Sequence, residues 1–197
     1  RLEKLAAENV LAIVGDSTNA MVPGHSGSEY DVMINMTELF SEFKGKIAVS
    51  CFSSNVARLV SIAKAAEANG RTVVLVGRSL WRIEGIARDC GYLDDVPAFI
   101  DADDAKYLDD SQIIYICTGS QGESRAALSR IADNNHRNIE LGQGDVVMFS
   151  SRTIPGNEKA IERVKNRLLG QDVTIITDRD APIHVSGHPY RDELRLI

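Results

Sequence analysis

The chain is poor in the features that would place it in several common classes. None of its apolar stretches approaches the ~20 residues a membrane-spanning helix needs. Cysteine is scarce: Cys51, Cys90 and Cys117 are odd in number and show no C-x-x-C spacing. That excludes a disulfide or zinc framework and fits a reducing cytoplasm. An excess of positive charge is also missing: the 197 residues carry a formal net charge of −6, so the molecule as a whole is no ordinary basic nucleic-acid binder. No signal peptide is visible, and the first residue is Arg1, from which an excised or processed fragment is expected. G-x-G-x-x-G, G-x-x-x-x-G-K-[ST] and G-x-S-x-G are all absent, which removes the usual support for dinucleotide, P-loop and hydrolase-elbow readings.

What is present is a repeated pattern. Short apolar runs stop in clusters of small polar residues. Val10–Val14 ends in Gly15-Asp16-Ser17-Thr18-Asn19, and Ile47–Cys51 in Phe52-Ser53-Ser54-Asn55. Thr72–Val76 ends in Gly77-Arg78-Ser79, Ile113–Cys117 in Thr118-Gly119-Ser120-Gln121-Gly122, and Val146–Phe149 in Ser150-Ser151-Arg152. A sixth run, Val173–Ile176, follows. Continuous β-branched runs read as buried parallel strands. Between them lie helical signals. Asn55 is positioned to cap a helix through Val56, Leu59, Val60 and Ala63 that stops at Asn69-Gly70. Ser79 is expected to cap a helix ending at Cys90-Gly91, and Ser120 or Glu123 to start one ending near Asn134. Pro155–Glu158 opens another that ends at Gly170. Strand–helix alternation predicts an α/β fold, a three-layer sandwich with a mainly parallel sheet and helices on both faces.

Two stretches depart from the alternation. Residues 16–45 form a long, turn-rich connection with a helix around Val32–Phe43. Residues 94–110 hold seven aspartates, which read as a solvated edge because they lack the spacing of a hard-ion loop.

Ligands of open α/β sheets bind outside the carboxyl ends of the strands. Hydroxyls, backbone N–H groups and arginines gathered there suit an anion, most naturally phosphate. Arg58, Arg78, Arg82, Arg125, Arg130 and Arg152 all lie at or just after these tips, and about four of the six are expected to be merely solvated. Helix capping alone accounts for about half of the tip polarity, since caps demand the same residue types. Near the end of the chain, His184-Val185-Ser186-Gly187-His188 sets two imidazoles and a hydroxyl close together. Gly187 and Pro189 argue against a zinc-binding helix there.

Taken in order, Gly15–Ala20, Phe52–Asn55, Gly77–Ser79, Thr118–Glu123, Ile154–Glu158 and His184–His188 resemble the β-CASP domain of bacterial ribonuclease J, of the metallo-β-lactamase superfamily of nucleic-acid hydrolases. The resemblance runs from about Val10 to Ile197. It implies a metal-dependent 5′-to-3′ exoribonuclease and endoribonuclease of RNA processing and decay. Two divalent ions, usually zinc, are held by a His-x-His-x-Asp-His motif in a separate metallo-β-lactamase domain. This chain lacks that motif; its only histidines are His25, His136, His184 and His188. The resemblance therefore implies an excised β-CASP domain over 1–197, with no metal site of its own and no cleavage by itself. Residues 1–20 are expected at the edge of the missing domain.

Residue by residue, Asp16 matches the acidic residue and His188 the histidine that the family pairs at the scissile phosphate. The alternatives are a turn cap for Asp16 and a structural role for His188. His184, Ser186 and Gly187 match positions that contact RNA phosphates, with a plain strand role open for His184. Arg78, Ser120, Gln121, Ser150, Arg152, Ser53 and Asn55 are expected along the RNA backbone or its 5′-phosphate. The implied partners are single-stranded RNA, the metallo-β-lactamase domain of the same protein and further copies of it, with no membrane. The competing expectation is a stand-alone Rossmann-like domain that binds a small phosphorylated metabolite or nucleotide.

Overall fold

In a computed structural model the chain is described at residues 4, 5, 7, 8 and 10–196, and it divides into two compact units. The larger spans Glu29–His184; the smaller joins Arg1–Ser28 to Val185–Ile197.

The larger unit is built on five parallel strands: β1 (Ile47–Ser50), β2 (Thr72–Val76), β3 (Ile113–Cys117), β4 (Val146–Phe149) and β5 (Thr174–Thr177). Their order across the sheet is β2-β3-β1-β4-β5. Register pairs Ala48 with Tyr115 on one side and with Val147 on the other. Ile100 extends the edge by a bridge to Val74. Both alternating sets of strand side chains are buried. Ala48, Tyr115, Cys117, Val147 and Phe149 join one apolar cluster. Their neighbours Ile47, Val49, Ile114, Ile116, Val146 and Met148 are equally inaccessible. A sheet buried on both faces needs helices on both, which is the three-layer arrangement the sequence predicts, with every strand parallel.

Helices α4 (Ala127–Ala132) and α5 (Glu158–Leu169) cover the clustered face through Leu128, Ile131, Ile161, Val164 and Leu168. Helices α1 (Glu29–Glu42), α2 (Val56–Ala68) and α3 (Arg78–Asp89) belong to the other, with α1 packed along α2. Leu59, Ile62, Ala63 and Ala66 recur at helical spacing and form the buried stripe of α2. Full burial of a side chain such as Leu59 is worth about 1.5–3 kcal/mol.

Local signals explain where these elements start and stop. The Asn55 side chain accepts from the Arg58 N–H and caps α2, and Gly70 at φ 64° ends it. Two expected starts differ. Helix α3 begins at Arg78 with Gly77, not Ser79, at its cap. Helix α4 begins only at Ala127, because Thr118–Gly122 is held as a separate loop. All seven aspartates of residues 94–110 are exposed, among short turns and two 3-10 segments. Cys51 and Cys117 are buried, and burial pushes both thiols up to about 12, so they act as core residues.

The described residues of the smaller unit include a short helix, α6 (Arg191–Leu194), and a bridge between Asn19 and Tyr190. The run Val10–Val14, expected as a strand, is not one. It carries no strand pairing, and Leu11 and Val14 are fully exposed. A β-branched run forms a strand only when a ladder partner accepts it.

Candidate functional site

Two sets of polar groups lie where the sequence places its chemistry, one in each unit. In the smaller unit, Asp16 and His188 come together across 172 positions of sequence, with the carboxylate Oδ2 against the imidazole Nδ1. The opposite oxygen of Asp16 accepts from the Thr18 N–H at 2.8 Å and its hydroxyl at 2.7 Å. Hydrogen bonds from His188 and Thr18 hold the Asp16 carboxyl down at about 2. An ionised Asp16 fixes the proton of a neutral His188 on Nδ1 and leaves Nε2 as the working nitrogen. The turn-cap alternative for Asp16 is thus also realised, in the same side chain.

A polar frame holds this pair. Asn19 donates from Nδ2 to Ser186 Oγ at 3.0 Å and to the His188 carbonyl at 3.1 Å. The His188 N–H donates to Ser186 Oγ at 3.2 Å. Ser26 gives its N–H and hydroxyl to Glu193, which also accepts from the Tyr190 N–H. Ser186 therefore shapes the turn that presents His188, while Gly187 is exposed. Asn19 is buried and central to this frame; the sequence marks it only as part of the Gly15–Ala20 cluster, with no role of its own.

In the larger unit the strand tips divide into two kinds. Arg78 and Arg152 are exposed, as expected of groups that meet a ligand, and Ser53 is half-buried. Ser120, Gln121 and Ser150 are buried instead. Gln121 donates to the Arg152 carbonyl at 2.9 Å and accepts from the Ile154 N–H at 2.9 Å and Asn157 Nδ2 at 3.2 Å. It ties the β3 tip to the β4 tip. Gly122, at φ 74°, lies so close to α5 that a Cβ there would meet the Ala160 carbonyl carbon at 2.5 Å. Asn55 is occupied by the α2 cap and by Glu29. Gln121 and Ser150 are engaged in scaffolding bonds, while Ser120, though buried, borders a cleft at the tips.

Arg58 departs furthest from expectation. It is neither solvated nor open to a ligand, but fully buried. Nε and Nη2 donate to the two Glu29 oxygens at 2.9 Å each. Nη1 reaches the Ser150 carbonyl at 2.9 Å, the Ile183 carbonyl at 3.2 Å and His184 Nδ1 at 3.3 Å. Burial, with Arg58 beside it, pushes the half-buried His184 down to about 4.

A cleft of about 450 Å³ opens beside the β4 and β5 tips, lined by Ser151, Arg152, Thr153, Lys165, Thr177 and Arg179 among others. Glu158, Glu162 and Asp178 share it, so its charges balance. Thr177 and Arg179 at the β5 tip, and Lys165 on α5, are groups the motif pattern did not mark. Among the described residues, no three His, Cys, Asp or Glu side chains gather to hold a metal ion, and no helix is long and apolar enough to cross a membrane. The described residues therefore do not provide a site for the metal pair that the resemblance implies.

The family model for the ribonuclease J beta-CASP domain matches residues 44–168, which take in β1 through most of α5. Over its whole length the chain is 47% identical to ribonuclease J of Sinorhizobium meliloti, covering 35% of that protein. It is 41% identical to ribonuclease J of Corynebacterium glutamicum, covering 27%, and 35% identical to that of Thermus thermophilus, covering 34%. The chain thus spans about a third of the length of the curated relatives it matches. These matches do not favour a stand-alone Rossmann-like metabolite binder. With this sheet, these tips and this span of likeness, the chain belongs to the ribonuclease J β-CASP domain family.

Proposed function

We propose that this domain forms the RNA-holding wall of a metal-dependent ribonuclease with 5′-to-3′ exonuclease and endonuclease activity in RNA processing and decay. The observation that carries the reading is the Asp16–His188 pair. Two residues far apart in sequence meet as a carboxylate and an imidazole, exposed enough to reach a phosphodiester. The ionised carboxylate orients the ring, so His188 can bind the scissile phosphate or protonate the leaving oxygen. Arg78 and Arg152 contribute guanidinium groups suited to backbone phosphates. Ser186 and Gly187 present backbone and hydroxyl groups beside His188.

The metal ions, zinc in this reading, belong to a metallo-β-lactamase domain of the same longer protein, with residues 1–20 at its edge. Bound there, they supply an activated hydroxide. The working enzyme is cytoplasmic and associates with further copies of itself. The 197-residue chain alone is expected to bind RNA weakly and in a salt-sensitive way, because its net charge is −6.

Fluorescence anisotropy and cleavage assays test the reading. The chain alone should bind a 5′-phosphorylated oligoribonucleotide in preference to a mononucleotide and cleave neither with added zinc or manganese. Robust metal-dependent cleavage by the chain alone would contradict the proposal, as would stabilisation by a mononucleotide with none by the oligoribonucleotide.

A further inference from the structure

The buried Arg58 network has no role in the scheme so far. Arg58 approaches His184 at Nδ1, with 3.3 Å between Nη1 and the ring nitrogen. A guanidinium offers donors only. Nη1 shares its two hydrogens among the Ser150 and Ile183 oxygens and Nδ1, and it has no lone pair to accept a proton from Nδ1, so the contact favours a bare Nδ1 with the ring proton on Nε2. Nothing in this arrangement is free to turn. Glu29 grips the far side of the guanidinium through both oxygens. Ser150 accepts from Nη1 and donates its hydroxyl to the Ile183 carbonyl at 2.7 Å, which fixes the residue before His184. The guanidinium also sets a positive charge against the ring, which opposes a second proton. The other charged groups acting on His184 are Glu29, Asp178 and Arg152. Among the described residues Nε2 has no hydrogen-bond partner, and the ring is half-buried, not sealed as Arg58 is.

We propose that Arg58 is a positioning residue that holds His184 as the neutral Nε2–H tautomer, making it an uncharged hydrogen-bond donor to a phosphate oxygen of bound RNA. The RNA half of this statement rests on the function proposed above; the tautomer half does not. The two histidines of the His184–His188 segment then differ in kind. His188 sits against a carboxylate, whereas His184 is half-buried beside a guanidinium, and burial and that charge both oppose its cation.

The test begins without RNA. Long-range 1H–15N correlation spectra of the chain report the protonation of each ring nitrogen. The expected result is a single His184 species, protonated at Nε2 and bare at Nδ1, unchanged from about pH 7.5 to about pH 5.5, below the ordinary histidine value. A proton on Nδ1, a tautomer mixture, or titration near the ordinary value overturns the proposal. In the Arg58→Gln variant the ring is expected to become a mixture and to titrate higher; a folded variant with the ring unchanged overturns Arg58's role. Should that variant not fold, the wild-type spectrum still decides. In the longer protein, His184→Gln, which keeps an uncharged N–H donor, should hold RNA within about threefold of wild type, while His184→Ala loses about tenfold, the worth of one hydrogen bond. Loss in both variants, with wild-type affinity rising as pH falls, would show a cation at work and overturn the assignment. Undiminished binding by His184→Ala with the tautomer intact overturns the phosphate-donor half alone, and leaves Arg58's hold on the ring standing.

Discussion

The two units of the chain are held together by different physics. Glu29–His184 has a sheet buried on both faces, helices packed by apolar stripes and an arginine sealed inside. Among the described residues of the unit of Arg1–Ser28 and Val185–Ile197, no apolar side chain is buried. It is tied by side chains that satisfy backbone donors: Asn19 on Ser186 and His188, Asp192 on the Gly24 N–H at 2.9 Å, and Glu193 on Ser26 and Tyr190. Apolar burial supplies stability that scales with area, whereas exposed polar ties supply geometry and little net energy. The Asp16–His188 pair stands in the second kind of structure. A reactive pair that must meet a ligand has to keep its polar groups near water, and a frame of hydrogen bonds can set their direction without burying them.

That contrast can be broken most forcefully at Arg58. Arg58→Met should lower the free energy of unfolding by about 3–5 kcal/mol, because Glu29 and two carbonyls lose a buried cationic partner. Urea unfolding followed by circular dichroism measures it, and a loss below about 1 kcal/mol would show that the network contributes direction rather than stability. A smaller effect is expected at Gly122→Ala. The new Cβ would press on the Ala160 backbone, and the left-handed φ disfavours any side chain, so about 1–3 kcal/mol should be lost by the same measurement.

The pH dependence comes next. His184 is held down at about 4 against an ordinary 6.5, so its neutral form belongs to the folded state. The unfolded chain takes up a proton first as pH falls below 6.5. The stabilising contribution is therefore complete above 6.5 and is lost as pH falls toward about 4. His184→Gln should flatten the stability profile across that window; an unaltered slope would refute the assignment. Asp16→Asn should have the smallest effect on stability. Its carboxyl is lowered to about 2 from 3.8, so its contribution disappears only in that acid range. At neutral pH that contribution is present but small, because Asp16 is exposed and solvent screens its pair with His188, so the unfolding midpoint should barely move; a large shift would mean that the smaller unit shares the energetics of the larger.

The sequence foretells the two units unequally, for the same physical reason. Runs such as Ile113–Cys117 and Val146–Phe149 announce themselves because a strand buried on both faces must be continuously apolar. Asn55 as a cap and Gly70 as a stop are equally local and equally readable. Val10–Val14 has the same composition and fails, since strand formation depends on a partner that composition does not name. Ser120, Gln121 and Ser150 have the residue types of a ligand site and lie buried, as a polar residue at a tip can serve the loop as well as a ligand. Arg58 reads as a surface cation because its partners Glu29 and Ser150 lie 29 and 92 positions away. Asp16 and His188 are legible only through ordered motifs, for no local period connects residues so distant.

The most direct test of the function is the pair itself. In the longer protein of which this chain is a part, His188→Ala and Asp16→Asn should be assayed on a 5′-phosphorylated single-stranded RNA with metal present. His188→Ala is expected to slow cleavage by about 10²–10⁴-fold, the usual contribution of a positioned acid–base group. Asp16→Asn should cost less, because the ring keeps a hydrogen-bonding neighbour; the unfolding midpoint should stay close to wild type in both. Cleavage at the wild-type rate by a folded, RNA-binding His188→Ala protein would contradict the assignment.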